Sequence, residues 1–354
     1  MLSNLAASVP DLLRLLALPV FAWVAILDVR TRRVPSAVWI PLGALGAALL
    51  AWDGWVAYTA DLHTWQSFLI PTAFSVGFVV PLAYLFWWFG GFGGADAKAL
   101  LVLALLFPVT PSYAIGDWAF PLVGGDQLLP FSLAILGNGV LVGLAIPVAL
   151  GLRNALAGRF TPIAPLGWPT AVDRIPHRHG KLLQTTDGYT LSGLDLDALR
   201  MYLRWRGATF AELRADPERL RDPETLPDEP NQPTDGAIDA GPPVADGGAV
   251  ESVDAVESTE RDEPDSSAEP TDGDPTNADP SDAEFDDPWG AAAFLDSIEG
   301  TAYGTAPADL RDGLDVLATE NRVWYSPGTP FLVPLFLGLL VAIGYGDVLI
   351  SLMS

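Results

Sequence analysis

The chain has 354 residues, half of them apolar and 18% charged, with no cysteine, which excludes disulfides, thiolate zinc sites and a cysteine nucleophile. The formal net charge of -24 is uneven: residues 222–290 hold 22 Asp or Glu against the single Arg261, so that tract carries -21 and the remainder only -3. Nothing in this pattern supplies the basic footprint that nucleic acid requires.

Only Lys98 and Lys181 of the 19 basic residues are lysines. Few lysines, many Asp and Glu and abundant Ala suit the surface of a halophile's protein, although a GC-rich genome favours the same choices.

In chain order, six apolar runs approach the roughly 20 residues that a spanning helix needs. They cover residues 9–28, 34–52, 66–89, 97–112, 130–151 and 329–350. The fourth is short and interrupted by Pro108 and Pro111. The first has no basic leader, only Arg14, and no small-residue cleavage site before Asp28, so it reads as a retained span rather than a signal peptide. Gly139 and Gly143 in the fifth form a GxxxG step, which suits tight helix packing.

Basic residues in short loops set the orientation. Arg30, Arg32 and Arg33 follow the first run, Lys98 the third, and Arg153 and Arg159 the fifth. The alternate loops, 53–65 and 113–129, hold Asp53, Asp61, Asp117 and Asp126 and no Lys or Arg. The N-terminus is therefore expected outside the plasma membrane, with loops 29–33 and 90–96 and the segment 152–328 in the cytoplasm.

That segment divides by composition. Residues 155–221 are expected to be partly ordered, with Ser192 and Asp195 spaced like a capping box before a helix that Gly207 stops after Arg206. This helix carries Leu196, Leu199 and Leu203 with Arg200, Arg204 and Arg206, so it either lies on the anionic inner leaflet or packs against the loops. The acidic tract 222–290 is expected to be disordered. Residues 291–328 regain apolar spacing and lead, as one or two short helices, to the last span in 329–354. The expected fold is an all-α, polytopic membrane bundle of about six spans. Residues 1–154 carry five of them, and a large, partly disordered cytoplasmic insertion precedes the last.

Ionisable residues in or near spans are costly. Asp28 closes the first run, in Leu27-Asp28-Val29-Arg30-Thr31-Arg32-Arg33-Val34-Pro35-Ser36, and Asp96 follows the glycine-rich loop Gly90-Gly91-Phe92-Gly93-Gly94-Ala95. Both fall at cytoplasmic ends of spans, where two carboxyls on different helices can share a proton and hydrolyse a peptide as a dyad. Taken alone, either is an ordinary interfacial charge. Gly344-Tyr345-Gly346-Asp347 is a more literal G-x-G-D string, but Asp347 lies about 17 residues past Pro330, roughly 25 Å across the bilayer. It is not expected to meet Asp28. His177 and His179 are a poor chelating pair, so neither a metal nor a cofactor is expected.

Together the two motifs resemble the archaeal preflagellin and prepilin peptidases, G-x-G-D-type membrane aspartic peptidases. Asp28 through Pro35 matches the family's first motif, with Ser36 where Asn is usual, and Gly93, Ala95, Asp96 and Lys98 match the second. Val323 to Pro327 and Pro330 to Pro334 look like the family's approach to its last helix. The likeness covers about residues 10–152 and 320–350, with the acidic tract outside it. It implies Asp28 and Asp96 as catalytic, with Lys98, Arg30, Gly93 and Gly94 tuning the carboxylates or positioning substrate. The implied substrates are archaellin and pilin-like precursors, cut at the cytoplasmic face. The rival reading, an ion- or proton-coupled transporter using the same aspartates, predicts further polar residues deep in the helices and inverted repeats. A plain membrane anchor for the acidic region would make both aspartates dispensable.

Overall fold

The computed structural model describes residues 5–89, 91–123, 129–238, 286–298, 302–328 and 330–353. It divides into two units, Met1–Trp168 with Ser326–Ser354, and Pro169–Tyr325. The expected disorder of the acidic tract concerns, for residues 239–285, positions outside the described ones.

The first unit is a helix bundle. Strand β1 (Leu5–Ala7) leads to α1 (Val9–Arg14), where the Ser8 side chain accepts the Asp11 amide and Pro10 needs no donor in the first turn. A bend at Leu15 and Leu16 passes into α2 (Ala17–Thr31), and a 3-10 turn over Ser36–Val38 opens α3 (Trp39–Ala60). Asp61 ends that helix and caps α4 (Leu62–Phe74), accepting the amides of His63 and Thr64 at 2.9 and 3.0 Å. Pro71 and Pro81 both remove ladder donors, and between them Ser75–Val79 widens into a π turn before α5 (Val80–Trp88). The buried Ser75 hydroxyl ties this turn to its neighbours. It donates to Ala104 O at 2.8 Å and shares a 2.7 Å hydrogen bond with Ser132 Oγ.

Helix α6 (Gly94–Leu106) is buried along much of its length, at Ala99, Leu100, Val102, Leu103, Ala104 and Leu106. It ends ahead of Pro108, as a proline-flanked helix must. Strands β2 (Tyr113–Ile115) and β3 (Trp118–Phe120) join β1 in a small antiparallel sheet, with Leu5 opposite Ile115 and Tyr113 opposite Phe120. The long α7 (Phe131–Leu156) follows.

In the second unit, β4 (Trp168–Ala171) and β5 (Lys181–Leu182) flank β8 (Arg322–Ser326), while β6 (Gln184–Thr185) and β7 (Gly188–Tyr189) form a hairpin. Helices α8 (Leu196–Arg206), α9 (Phe210–Ala215), α10 (Pro217–Arg221), α11 (Ala291–Asp296) and α12 (Pro307–Thr319) complete it. The chain returns to the first unit through α13 (Leu332–Gly344) and α14 (Val348–Met353).

Among the described residues, four helical runs are long and apolar enough to cross a membrane: Val9–Thr31, Ser36–Ala60, Leu62–Trp88 and Phe131–Leu156. The other two expected spans are shorter. Helices α6 and α13 have 13 residues each, about 20 Å of rise. Phe21, Val24, Trp39, Leu42, Leu100, Leu103, Leu335 and Leu339 form the core between the helices. Gly139 meets the backbone of Leu335 and the carbonyl of Pro334, and a Cβ on Gly338 would stand 2.4 Å from Gly139 N. The GxxxG step therefore packs α7 against α13 of the same chain.

Two expectations change in the second unit, and the burial of α8 bears on a pair of alternatives left open above. Helix α8 ends at Gly207, as the sequence indicates, but its cap is Asp195, which accepts the Asp197 amide at 2.8 Å, while Ser192 donates to Asp309. The helix does not present a membrane-facing stripe, because Leu196, Leu199, Tyr202, Leu203, Trp205 and Arg206 are all buried. The flanks of the acidic tract are ordered. Arg206 donates to Asp222 O and Thr225 Oγ1, and buried Trp289 accepts from Tyr202 Oη at 2.7 Å and donates to Asp315 at 3.0 Å.

Candidate active site

Asp28 lies one turn before the end of α2 and is only 9% exposed, which places a carboxyl among packed helices rather than in a loop. Helix α2 stops four residues later. Arg32 takes a left-handed conformation, φ 56°, and its amide donates to Asp28 O at 2.9 Å. The main-chain amide of Leu332, the first residue of α13, faces the Asp28 carboxylate.

Asp96 is the third residue of α6 and half-buried. Its carboxylate reaches back over the turn and accepts the Gly93 amide at 3.0 Å. A Cβ on Gly93 would stand 3.2 Å from Asp96 Oδ2, so the missing side chain is what leaves room for that carboxylate. A Cβ on Gly94 meets only Trp87 Nε1, at 3.9 Å, an ordinary contact. The loop before Asp96 folds back on α5, with the amides of Gly91 and Phe92 both donating to Phe86 O. Phe92 is held between Phe86 and Phe331, with ring centres 5.0 and 4.7 Å away.

The two aspartates thus come from separate helices and lie close enough for the charge of Asp28 to act on Asp96. The guanidinium of Arg32 acts on both. It bonds to neither, because its Nη2 donates to the carbonyls of Pro327 and Gly328. Arg30 is exposed, and Lys98 turns from the carboxylates to donate to Ser36 Oγ at 2.6 Å. That bond links the second turn of α6 to the turn opening α3.

The sequence reading missed Arg32, the Leu332 amide and the Phe92–Phe331 pair. A position four residues after Asp28 is the signal that could have found Arg32, since it falls beside Asp28 on the next helical turn. The others arise from contacts across more than 200 residues and have no local signature.

Asp347 does not join the site. Its carboxylate accepts the Ile350 amide at 3.1 Å and caps α14. Gly346 has φ 114° and would set a Cβ 2.3 Å from Val123 O, so the backbone itself requires glycine there. The literal G-x-G-D string is a helix cap with a tight approach. His179 pairs with Asp197 at 3.1 Å, and among the described residues no group of three His, Asp or Glu side chains is placed to hold a metal.

Residues 15–148 match the type IV leader peptidase family. A preflagellin peptidase of Methanococcus voltae is 26% identical over 138 residues, 38% of this chain. The chain spans about half of that relative's length, 54%. The family match includes both Asp28 and Asp96. Over residues 15–148, the chain is thus similar to the type IV leader peptidase family, and over 138 residues to a preflagellin peptidase.

Proposed function

We propose that this protein is a membrane-embedded aspartic endopeptidase that removes short basic leader peptides from archaellin and type IV pilin-like precursors at the cytoplasmic face. What supports the reading is that Asp28, buried, and Asp96, half-buried, stand on two helices of the matched segment, with the charge of Asp28 acting on Asp96. Two close carboxyls disfavour the doubly ionised state, so one proton is shared between them. The ionised member takes a proton from water as the water oxygen attacks the scissile carbonyl carbon. The protonated member gives its proton to the carbonyl oxygen. As the resulting gem-diol collapses, one of its hydroxyls returns a proton to the carboxylate that gave one, the C–N bond breaks, and the leaving nitrogen takes the proton from the other carboxyl, so the dyad again shares one proton. The titration belongs to the pair, so the roles are assigned to the dyad and not to either residue.

The cytoplasmic placement rests on the basic residues flanking Asp28 and Asp96 and the wholly acidic alternate loops. The surrounding glycines suit an extended substrate, whose backbone must come close to both carboxyls.

The test uses a tagged archaellin or pilin precursor co-expressed with the full chain. Asp28→Asn and Asp96→Asn each abolish the mobility shift that marks leader removal, and Asp347→Asn leaves it intact. Full processing by either of the first two variants removes the dyad. Deletion of residues 239–285 is expected to leave cleavage unchanged in high salt, as befits a solubilising linker.

A further inference from the structure

We infer that Arg32 is the positioning residue of this site: it fastens the end of α2 to the segment leading into α13, and so holds Asp28 and Asp96 in register. The inference rests on the peptidase reading above and adds a residue to it.

Four observations converge on Arg32. Its backbone is left-handed, φ 56°, a conformation that favours glycine over any residue with a Cβ. A bulky cation kept in that conformation points to a task for its side chain. That side chain donates to two consecutive carbonyls, Pro327 O and Gly328 O. Gly328 is itself left-handed, and a Cβ there would stand 3.4 Å from Arg32 Nη1, so the two residues are shaped to each other. Arg32 also caps α2 on the main chain of Asp28, and its charge acts on both carboxylates.

The segment it grips is the common neighbour of both aspartates. Three residues past Gly328, Phe331 stacks on Phe92 of the loop that delivers Asp96. The next residue, Leu332, turns its amide to Asp28. Pro327 and Gly328 therefore touch the Asp28 helix through Arg32, and Phe331 touches the Asp96 loop. Releasing the Arg32 end frees α2 to move against that segment. A reacting group displaced by about 1 Å costs on the order of a hundredfold in rate.

An ordinary flanking cation would contribute charge alone, and the variants separate the two roles. Arg32→Gly deletes the guanidinium while suiting the backbone, so the protein inserts and its thermal midpoint in detergent holds or rises. Its kcat on a precursor falls about 10- to 100-fold with KM little changed. Arg32→Lys restores most of the kcat, because an ammonium still donates to carbonyls. Arg159→Gln, which removes an equal charge from the same flank, leaves kcat unchanged.

The chain has no cysteine, so spin labels at Val29→Cys and Leu337→Cys, both exposed, report the α2–α13 distance without background. That distribution broadens in Arg32→Gly and narrows again in Arg32→Lys. Parental kcat in Arg32→Gly overturns the inference, and so does a lowered kcat with an unchanged distance distribution. Should Arg32→Gly not insert, Arg32→Gln asks the same question with the charge gone, and parental kcat there overturns it equally. Cleavage by Asp28→Asn or Asp96→Asn would strike the peptidase reading instead, and the label distances would still decide whether Arg32 is the fastener.

Discussion

The helix bundle holds an arginine between two aspartates at each of its ends, and the two arrangements are opposites. At one end Arg14, 4% exposed, gives Nη1 to Asp11 at 2.7 Å, Nη2 to Asp53 and Nε to Leu106 O at 2.6 Å. Asp11 is engaged further, accepting from Ser8 Oγ and the Ser112 amide, and Tyr113 Oη donates to its main-chain carbonyl. At the other end Arg32 spends its hydrogens on main-chain carbonyls and leaves the Asp28 and Asp96 carboxylates unbonded to it. A carboxylate bonded directly to a guanidinium has fewer lone pairs to offer water and holds its proton less readily. One merely near a guanidinium keeps its lone pairs and still feels the charge. The first arrangement ties helices together, and the second leaves room for chemistry.

The largest effect expected from this contrast is on cleavage. Asp28→Asn and Asp96→Asn should each lower precursor processing by about a thousandfold or more, since members of a catalytic unit fail together. Their thermal midpoints should stay near the parent's. Asp53→Asn should do the reverse, lowering the midpoint while cleavage per folded molecule holds. An Asp53→Asn variant that folds well and cleaves nothing would break the comparison.

Next in size is the loss of Arg14. Arg14→Met strands two carboxylates at a site where the guanidinium is their cation, and removing one partner of a buried ion pair costs about 3–5 kcal/mol. The measurement is the midpoint of thermal unfolding in detergent, set beside the activity of the fraction still folded. A midpoint equal to the parent's would mean that water already supports these charges.

How far the sequence revealed this contrast depended on the range of each contact. Asp28 and Asp96 stand out in the sequence because each sits in a short motif beside an apolar run. The helix runs themselves were legible from hydropathy, though α6 and α13 fall short of a full span. Asp53 was read as an outer-loop charge, yet it lies within α3 and meets Arg14, 39 residues away in the chain. Arg32 was one basic residue among three, and only a partner 295 residues on distinguishes it. The order in 222–238 was equally hidden, because an acidic, proline-rich composition says nothing of Arg206, which donates to Asp222 O and Thr225 Oγ1. Local pattern reveals elements, while the choice among equivalent charges is made by tertiary packing.

A smaller effect sharpens the active end. Gly93→Ala places a methyl 3.2 Å from Asp96 Oδ2, so the carboxylate must give way by a few tenths of an ångström. The amide bond from Gly93 to Asp96 should lengthen with it. An approximately tenfold fall in kcat is expected, with stability close to the parent's. Gly94→Ala is the matched control, since its new methyl meets Trp87 at 3.9 Å, an ordinary contact. Equal losses in the two would show that the loop needs glycine for its backbone and not for the space beside Asp96.

The smallest effect belongs to Asp61, the exposed cap between α3 and α4. The Thr64 hydroxyl, with the Thr64 and His63 amides, holds its carboxyl below the usual carboxylate range. A carboxyl with a depressed folded value binds fewer protons folded than unfolded between the two values, so stability rises with pH across that interval. Its contribution is present above the unfolded value, about 4, and is lost as pH falls through the folded one. Asp61→Asn keeps a capping oxygen but cannot titrate. Its unfolding midpoint should therefore match the parent's near pH 3 and fall slightly below it at pH 7, with cleavage the same in both. A pH response that survives in Asp61→Asn would assign the acid sensitivity of the bundle to another carboxyl.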